Sequence, residues 1–289
     1  MQNDLQMLRN GVQQIRSQVS QLQRGQEPWL QDELLAWISP LNFWTKQNDV
    51  FSRRHDRTGE WFLKHEKFEQ WLRGVGRTLW CPGQAGAGKT VIASVVINHL
   101  EAMAKEKNIA VVYTYCTYKE QTHTTINLVA SLLKQLVQRR LPAVSSSILN
   151  LYQHHRDKKT RPPLTEYARF LAAELRHFSK VYVVIDALDE CSEDGRTREL
   201  FLTEAQKLFP SICLLVTSRD LLDTKFENAA RLDINASDQD IERYLRSRIK
   251  VELARFIKTD DPDSTFSANV LTSITAKANG MQVLHSLLG

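Results

Sequence analysis

The stretch Gly83-Gln84-Ala85-Gly86-Ala87-Gly88-Lys89-Thr90 constrains this chain more than any other. It matches G-x-x-x-x-G-K-[ST], the Walker A or phosphate-binding loop. Each fixed position has a physical reason. Glycines without Cβ let the backbone wrap closely round a polyphosphate. Successive N–H groups then form an anion-binding nest. Lys89 is expected to reach the β- and γ-phosphates, and the Thr90 hydroxyl to ligate Mg²⁺. The following helix adds the positive end of its dipole. Thr78 to Cys81 reads as a short buried strand closed by Pro82, and Ile92, Val95, Val96, Leu100 and Met103 follow at helical spacing. Strand, loop and helix in that order are the setting the motif requires. A glycine-rich turn that merely caps a helix is the alternative, and it needs no strand before it.

The 289 residues suffice for one large α/β domain or two small ones. Apolar residues make up 42%, enough for a real core, and the net charge of +5 is mild. The basic residues are scattered, so no specific nucleic-acid signal follows. Two clusters stand out, Arg53-Arg54-His55 with Arg57 and Lys158-Lys159 with Arg161, and both read as solvated faces. Cys81, Cys116, Cys191 and Cys213 fit no zinc spacing and sit in or beside expected buried strands. They read as reduced core residues of a cytoplasmic protein. No apolar run has the length of a membrane span, and the N-terminus has no signal-peptide core.

In chain order, Leu5, Leu8, Val12, Ile15, Val19 and Leu22 repeat at alternating steps of three and four. That is the seam of a coiled coil, which would make residues 1–25 an oligomerising or partner-binding helix. A single amphipathic helix packed on its own domain fits the same pattern. Gly25 and Glu27-Pro28 mark a hinge. Residues 26–75 form an aromatic-rich prelude, with helices expected over 30–38 and 65–73 and a turn at Thr58-Gly59. It either packs as a prelude to the sheet or lies over the nucleotide base. A strand over Ile109–Thr117, helices over 124–140 and 164–178, and a shorter helix near 145–155 follow.

Val181 to Ile185 is a central-strand run, apolar on both faces as buried parallel strands are. It ends in Asp186. A carboxylate there fits the Walker B position, which holds a water on the Mg²⁺ that Thr90 also ligates. Asp189 and Glu190 lie three and four residues on; either could orient the attacking water, or both could cap the next helix. Ile212 to Val216 is another buried strand, ending in Thr217-Ser218-Arg219, where Arg219 is placed to report the γ-phosphate or to pair with a surface acid. A last strand is expected over Ala230–Ile234, then helices over 237–256 and 266–279.

Several motifs now agree in order. Trp37-Ile38-Ser39-Pro40-Leu41-Asn42-Phe43, Gln47-Asn48-Asp49, Thr58-Gly59-Glu60-Trp61, Leu79-Trp80-Cys81-Pro82-Gly83 and Ile185-Asp186-Ala187-Leu188-Asp189-Glu190-Cys191 resemble fungal NACHT-type proteins with a nephrocystin-like N-terminal P-loop domain. The resemblance spans about residues 10 to 280. It implies a signal-transduction ATPase in self/non-self recognition, with Gly83 to Thr90 on phosphate and Mg²⁺, Asp186 as the Walker B acid, Asp189 or Glu190 as the hydrolytic group and Arg219 as sensor. The family's repeats and winged helix are not found here. After Gly280-Met281 the sequence departs from the family pattern, which reads as a truncated gene model or splice variant.

The expected fold is therefore a three-layer α/β P-loop NTPase with a mostly parallel sheet. The core spans 76–236, and 237–289 begin a helical lid. ATP or GTP with Mg²⁺ is the expected ligand, and slow hydrolysis would reset a conformational switch. A non-hydrolysing oligomerisation module, with nucleotide as a structural ligand, is the alternative. A P-loop kinase ranks third, since no acceptor lid is evident.

Overall fold

The computed structural model describes residues 30–54, 56–74, 77–105, 107–192, 196–220, 226 and 229–235. The expected N-terminal coil, the helices after Ser237 and the departure after Met281 lie outside the described residues.

Among the described residues five parallel strands form the sheet: β1 (Thr78–Pro82), β2 (Ile109–Tyr115), β3 (Lys180–Asp186), β4 (Ile212–Ser218) and β5 (Ala230–Arg231). Their order is β2-β3-β4-β1-β5. Consecutive residues along β2, β3 and β4 are buried. Neighbouring residues in a strand face opposite sides, so both faces of the sheet are covered, the three-layer α/β arrangement. The covering helices are α1 (30–38), α2 (Phe43–Arg53), α3 (Glu60–Leu63), α4 (Glu66–Arg73), α5 (Lys89–Ala104), α6 (Thr125–Arg139), α7 (Ser146–Asp157), α8 (Leu164–Leu175) and α9 (Thr197–Lys207). Among the described residues no helix is long and apolar enough to cross a membrane.

Strand order decides what the site can be. Because β4 lies between β1 and β3, its C-terminal end stands between the Gly83–Thr90 loop and Asp186. Among the described residues the expected strands and helices are found; β2 stops at Tyr115, β5 at Arg231 and α8 at Leu175, short of the expected ends. Helix α2 fell outside the expected helices, because its sequence is polar and only Phe43 and Gln47 are buried. Its start is nonetheless signalled: the Asn42 side chain accepts from the Trp44 N–H at 3.1 Å, an N-cap.

The aromatic prelude packs. Phe62, Phe68 and Trp71 are fully buried, and their rings run in contact to Tyr182 of β3, with Trp71 5.2 Å from it. Trp71 Nε1 donates to the Leu214 carbonyl of β4 at 3.1 Å. Gly59 takes φ +80°, and a Cβ there would stand 2.9 Å from Ile92 Cδ1 of α5. The expected Thr58-Gly59 turn is thus pressed against the helix that follows the phosphate loop.

Strand β2 is an edge, and an open edge exposes unpaired backbone groups. Gln135 of α6 covers it as a substitute strand would. The Tyr113 N–H donates to Gln135 Oε1 at 2.9 Å, and Gln135 Nε2 donates to the Tyr113 carbonyl at 2.8 Å. Arg139 Nε adds a bond to the Val111 carbonyl at 2.9 Å. Gln135→Leu leaves a buried N–H and C=O of Tyr113 without partners. The expected loss is about 2–4 kcal/mol in urea unfolding; a loss below about 0.5 kcal/mol would show that this pairing does not hold the edge.

Candidate nucleotide site

The phosphate loop joins β1 to α5 and closes on itself. Gly88 adopts φ +87° at the N-cap of α5, the left-handed region that favours glycine. Gly83 answers a different demand: a Cβ there would meet the Ile234 carbonyl oxygen at 2.6 Å. The segment just after β5 thus holds the loop from behind, with the Ile234 N–H donating to the Pro82 carbonyl at 2.7 Å. Lys89 Nζ donates to the carbonyls of Gly83 and Gln84, each at 2.9 Å. Burial lowers the Lys89 ammonium from its usual value, opposed by the carboxylates of Asp189, Asp186 and Glu190. All three candidate acids therefore act on the one lysine.

Asp186 ends β3 and is 2% exposed. Thr217 at the end of β4 holds it: the Thr217 hydroxyl donates to Asp186 Oδ1 at 2.6 Å and accepts from the Ala187 N–H at 2.9 Å. Burial pushes the Asp186 carboxyl up to about 6, while Thr217 and Thr90 pull it back. Thr90 and Asp186 therefore meet across the loop. A hydroxyl and a carboxylate are hard oxygen donors of the kind Mg²⁺ takes, with waters and nucleotide phosphates completing its shell. Among the described residues no group of three or more His, Cys, Asp or Glu could hold a metal by itself. The protein donors thus fit a metal that arrives with phosphate rather than one caged by side chains.

After Asp186 the chain reverses through Ala187 at φ +52° into a 3₁₀ turn, Leu188–Glu190. An alanine in the left-handed region carries strain. Here the bond from its N–H to Thr217 holds the conformation. The turn sends Asp189 and Glu190 in different directions. Asp189 is 7% exposed. It accepts from the Arg219 N–H at Oδ1, 3.0 Å, and from Arg219 Nε at Oδ2, 2.6 Å. Both of its oxygens are therefore engaged, and so is the guanidinium expected to sense phosphate. Glu190 lines a cavity of about 590 Å³ with Thr90, Asp186, Tyr115 and Cys116. Of the two candidate water-orienting acids, Glu190 is the one that opens to the cavity.

Sequence reasoning did not foresee the supports. Gln47 of α2 donates to the Ser94 carbonyl of α5 at 3.0 Å and accepts from the Tyr115 hydroxyl. Lys134 of α6 donates to the carbonyls of Ser39 and Leu41, at 2.9 and 3.1 Å. These bonds fix the 39–43 segment, whose Pro40, Leu41, Asn42 and Phe43 form part of the cavity wall. Lys134 is signalled only as a lysine within a helix rich in apolar residues, and Gln47 has no signal, since α2 lacks an apolar face to set it off. The four cysteines are free and buried; Cys116 lies beside Asp186, its N–H donating to the Asp186 carbonyl at 3.0 Å.

A family model described as Nephrocystin 3, N-terminal, matches residues 57–219. The vegetative incompatibility protein HET-E-1 of Podospora anserina is 24% identical over 234 residues, covering 76% of this chain and 17% of that protein. The chain thus spans less than a fifth of the length of this curated relative. Among solved structures, the Aeropyrum pernix ORC1 protein in complex with DNA is similar with a TM-score of 0.44 at 15% identity, covering 80% of this chain and 64% of that one. AMPPCP-bound DnaA from Aquifex aeolicus has a TM-score of 0.42 at 13% identity, covering 81% and 60%.

Proposed function

This chain belongs to the Nephrocystin 3 N-terminal family and is a NACHT-like P-loop NTPase, and on that premise we propose that it binds ATP with Mg²⁺ as a conformational switch and hydrolyses it slowly. The meeting of Lys89, Thr90 and Asp186 at one end of the sheet carries this reading. Lys89 neutralises the β- and γ-phosphates, and Gly83, Gln84, Ala85, Gly86, Ala87 and Gly88 supply the backbone cradle. Thr90 and Asp186 would hold Mg²⁺, which would supply positive charge against the phosphates. Glu190 orients the attacking water and takes its proton. The new P–O bond forms as the bond to the β,γ-bridging oxygen breaks, and ADP leaves with that electron pair. Arg219, fixed by Asp189, registers whether the γ-phosphate is present. A switch needs such a contact that differs between its two states.

In this reading 76–236 form the nucleotide core, 26–75 the prelude, 1–25 an oligomerising or partner-binding helix and 237–289 the start of a lid. The similarity to a vegetative incompatibility protein supports a place in self/non-self signalling in a fungal cytoplasm.

Titration with fluorescent ATP and GTP analogues tests the reading, with ATP expected to bind more tightly in the presence of Mg²⁺. Absence of saturable binding to either overturns it. A pH arm tests the metal site. A carboxyl titrating at about 6 is roughly nine-tenths protonated at pH 5 and one-tenth at pH 7. A ligating carboxylate must be deprotonated, so the Mg²⁺ concentration needed for half-maximal ATP binding should rise about tenfold from pH 7 to pH 5. A flat response removes Asp186 from the metal.

A further inference from the structure

A second cluster lies outside the nucleotide site, in one stretch that runs from α7 through the following loop into α8. Three side chains meet there. His155 Nδ1 lies 2.8 Å from Thr160 Oγ1, and His155 Nε2 lies 2.9 Å from Glu166 Oε2. An ionised carboxylate only accepts hydrogen bonds. In the neutral imidazole the proton therefore sits on Nε2, and Nδ1 is left to accept from the Thr160 hydroxyl. Arg169 donates to the other oxygen of Glu166 at 3.1 Å, so both carboxylate oxygens are placed. Hydroxyl, base and orienting carboxylate stand in the order that an activated nucleophile needs.

The local fold builds this order. Helix α7 ends through Lys159 at φ +52°, a left-handed position where glycine is the usual choice. The reversal lets the Thr160 N–H donate to the His155 carbonyl at 2.9 Å, which brings the hydroxyl back over the imidazole. Packing then holds the ring. His155 is 8% exposed, with Trp37 of α1 at 6.3 Å and His154 at 5.2 Å between ring centroids. Thr160 itself is exposed. The base is thus locked in the protein while the hydroxyl it serves is open to solvent.

The surroundings select what can react. Lys158, Lys159 and Arg161 flank Thr160 and are exposed, against Asp157, the one acid among residues 157–163. That excess favours a reagent with an anionic part. Helix α8 begins at Leu164, and its N-cap Pro163 makes no side-chain capping bond. The first N–H groups of the helix that carries Glu166 are therefore not taken up by a side chain. Such donors suit an oxygen that turns negative when a carbonyl is attacked.

We propose that Thr160, His155 and Glu166 form a second reactive centre, in which Thr160 accepts an acyl group from an activated ester or thioester on an anionic carrier. The centre needs no bound nucleotide. Thr160 Oγ1 attacks the carbonyl carbon as His155 Nδ1 takes its proton, and Glu166 steadies the imidazolium. The Oγ1–C bond forms and the bond from that carbon to the leaving sulfur or oxygen breaks. The leaving group departs with that electron pair and takes the proton from His155. The product is an acyl ester on Thr160, with the imidazole neutral again.

The test is incubation of the full chain with acetyl-coenzyme A, an acetyl thioester on a polyanion, followed by peptide mass mapping. Neutral hydroxylamine cleaves a threonine ester but leaves lysine amides, so it separates Thr160 from Lys158 and Lys159. Acetylation of Thr160 should be saturable, faster than at any other hydroxyl, and reversed by hydroxylamine. His155→Ala should slow it about a hundredfold or more and Glu166→Gln roughly tenfold or more, while Thr160→Ser retains it. Thermal unfolding is followed for each variant. If His155→Ala does not fold, Glu166→Gln, which keeps the shape of the side chain, decides. A surface hydroxyl of ordinary reactivity would respond to neither change. Lys158→Ala with Lys159→Ala should raise the acetyl-coenzyme A concentration for half-maximal rate about tenfold and leave the reaction with uncharged p-nitrophenyl acetate unchanged. Three results overturn the proposal: no ester on Thr160, an ester formed as fast without His155 or the Glu166 carboxylate, or lysine changes that affect both reagents equally.

Discussion

Lys89→Ala should weaken ATP binding by roughly a hundredfold or more while leaving the fold intact. The argument is electrostatic. Lys89 is the cation of the loop itself, and its Nζ already sits on the carbonyls of Gly83 and Gln84 at 2.9 Å. A triphosphate carries concentrated charge at the same place, and charge-assisted hydrogen bonds are about twice as strong as neutral ones. Losing one or two of them in a half-buried site costs about 3 kcal/mol, which is the stated factor. The structural cost is smaller. Gly83 and Gln84 would lose a donor, but the loop remains tied by the Gly83 N–H to the Ser218 carbonyl at 3.0 Å and by Ile234 behind it. Equilibrium titration with a fluorescent ATP analogue, beside thermal unfolding without nucleotide, separates the two effects. Unchanged affinity would remove Lys89 from the phosphates.

How far the sequence discloses this site depends on how local each feature is. The phosphate loop is contiguous, and its glycines, lysine and threonine are each required where they stand, so it is legible at once. Asp186 is nearly as plain, because an apolar run that ends in a single acid marks the exit of a buried strand. The Asp189–Arg219 pair is a different matter. Its members are thirty residues apart, and each reads on its own, one as an acid and one as a sensor. Only the placement of β4 next to β3 brings them together, and strand order is not written in any local spacing. Thr217 was visible as the polar end of β4, but not as the residue that holds Asp186 and turns Ala187.

Polar side chains that serve the backbone are harder still to see. Gln135 lies on a helix whose apolar face reads cleanly, and nothing nearby in sequence shows that its amide replaces a missing strand. Gln47 and Lys46 belong to a helix with little hydrophobic pattern to reveal it. Yet α2 carries one bond into α5, one to Tyr115 and part of the cavity wall. The prelude therefore couples to the phosphate loop through polar contacts, which periodicity cannot register, while its aromatic residues, which composition does reveal, serve packing.

Glu190→Gln should lower phosphate release about a hundredfold or more at saturating nucleotide, with ATP affinity nearly unchanged. Removing a positioned general base typically costs a factor of 10²–10⁴. Glutamine keeps the size and hydrogen-bonding reach of the side chain, so the change tests proton acceptance rather than shape. The same logic gives a different expectation for Asp189→Asn. That carboxylate has one oxygen on the Arg219 N–H and the other on Arg219 Nε, so both oxygens are committed to Arg219, whereas Glu190 lines the cavity. Its neutral replacement loosens Arg219 and should lower release by roughly tenfold or less, chiefly through the misplaced guanidinium. Arg219→Ala should then match Asp189→Asn, and the two together should cost little more than either alone, because both changes break one pair. The three measurements, made as single turnovers so that product release does not mask cleavage, assign the roles. Asp189→Asn falling as far as Glu190→Gln, with Arg219→Ala near wild type, would transfer the water-orienting role to Asp189. No measurable cleavage in the wild type would leave nucleotide as a structural ligand and make the chain a binding module.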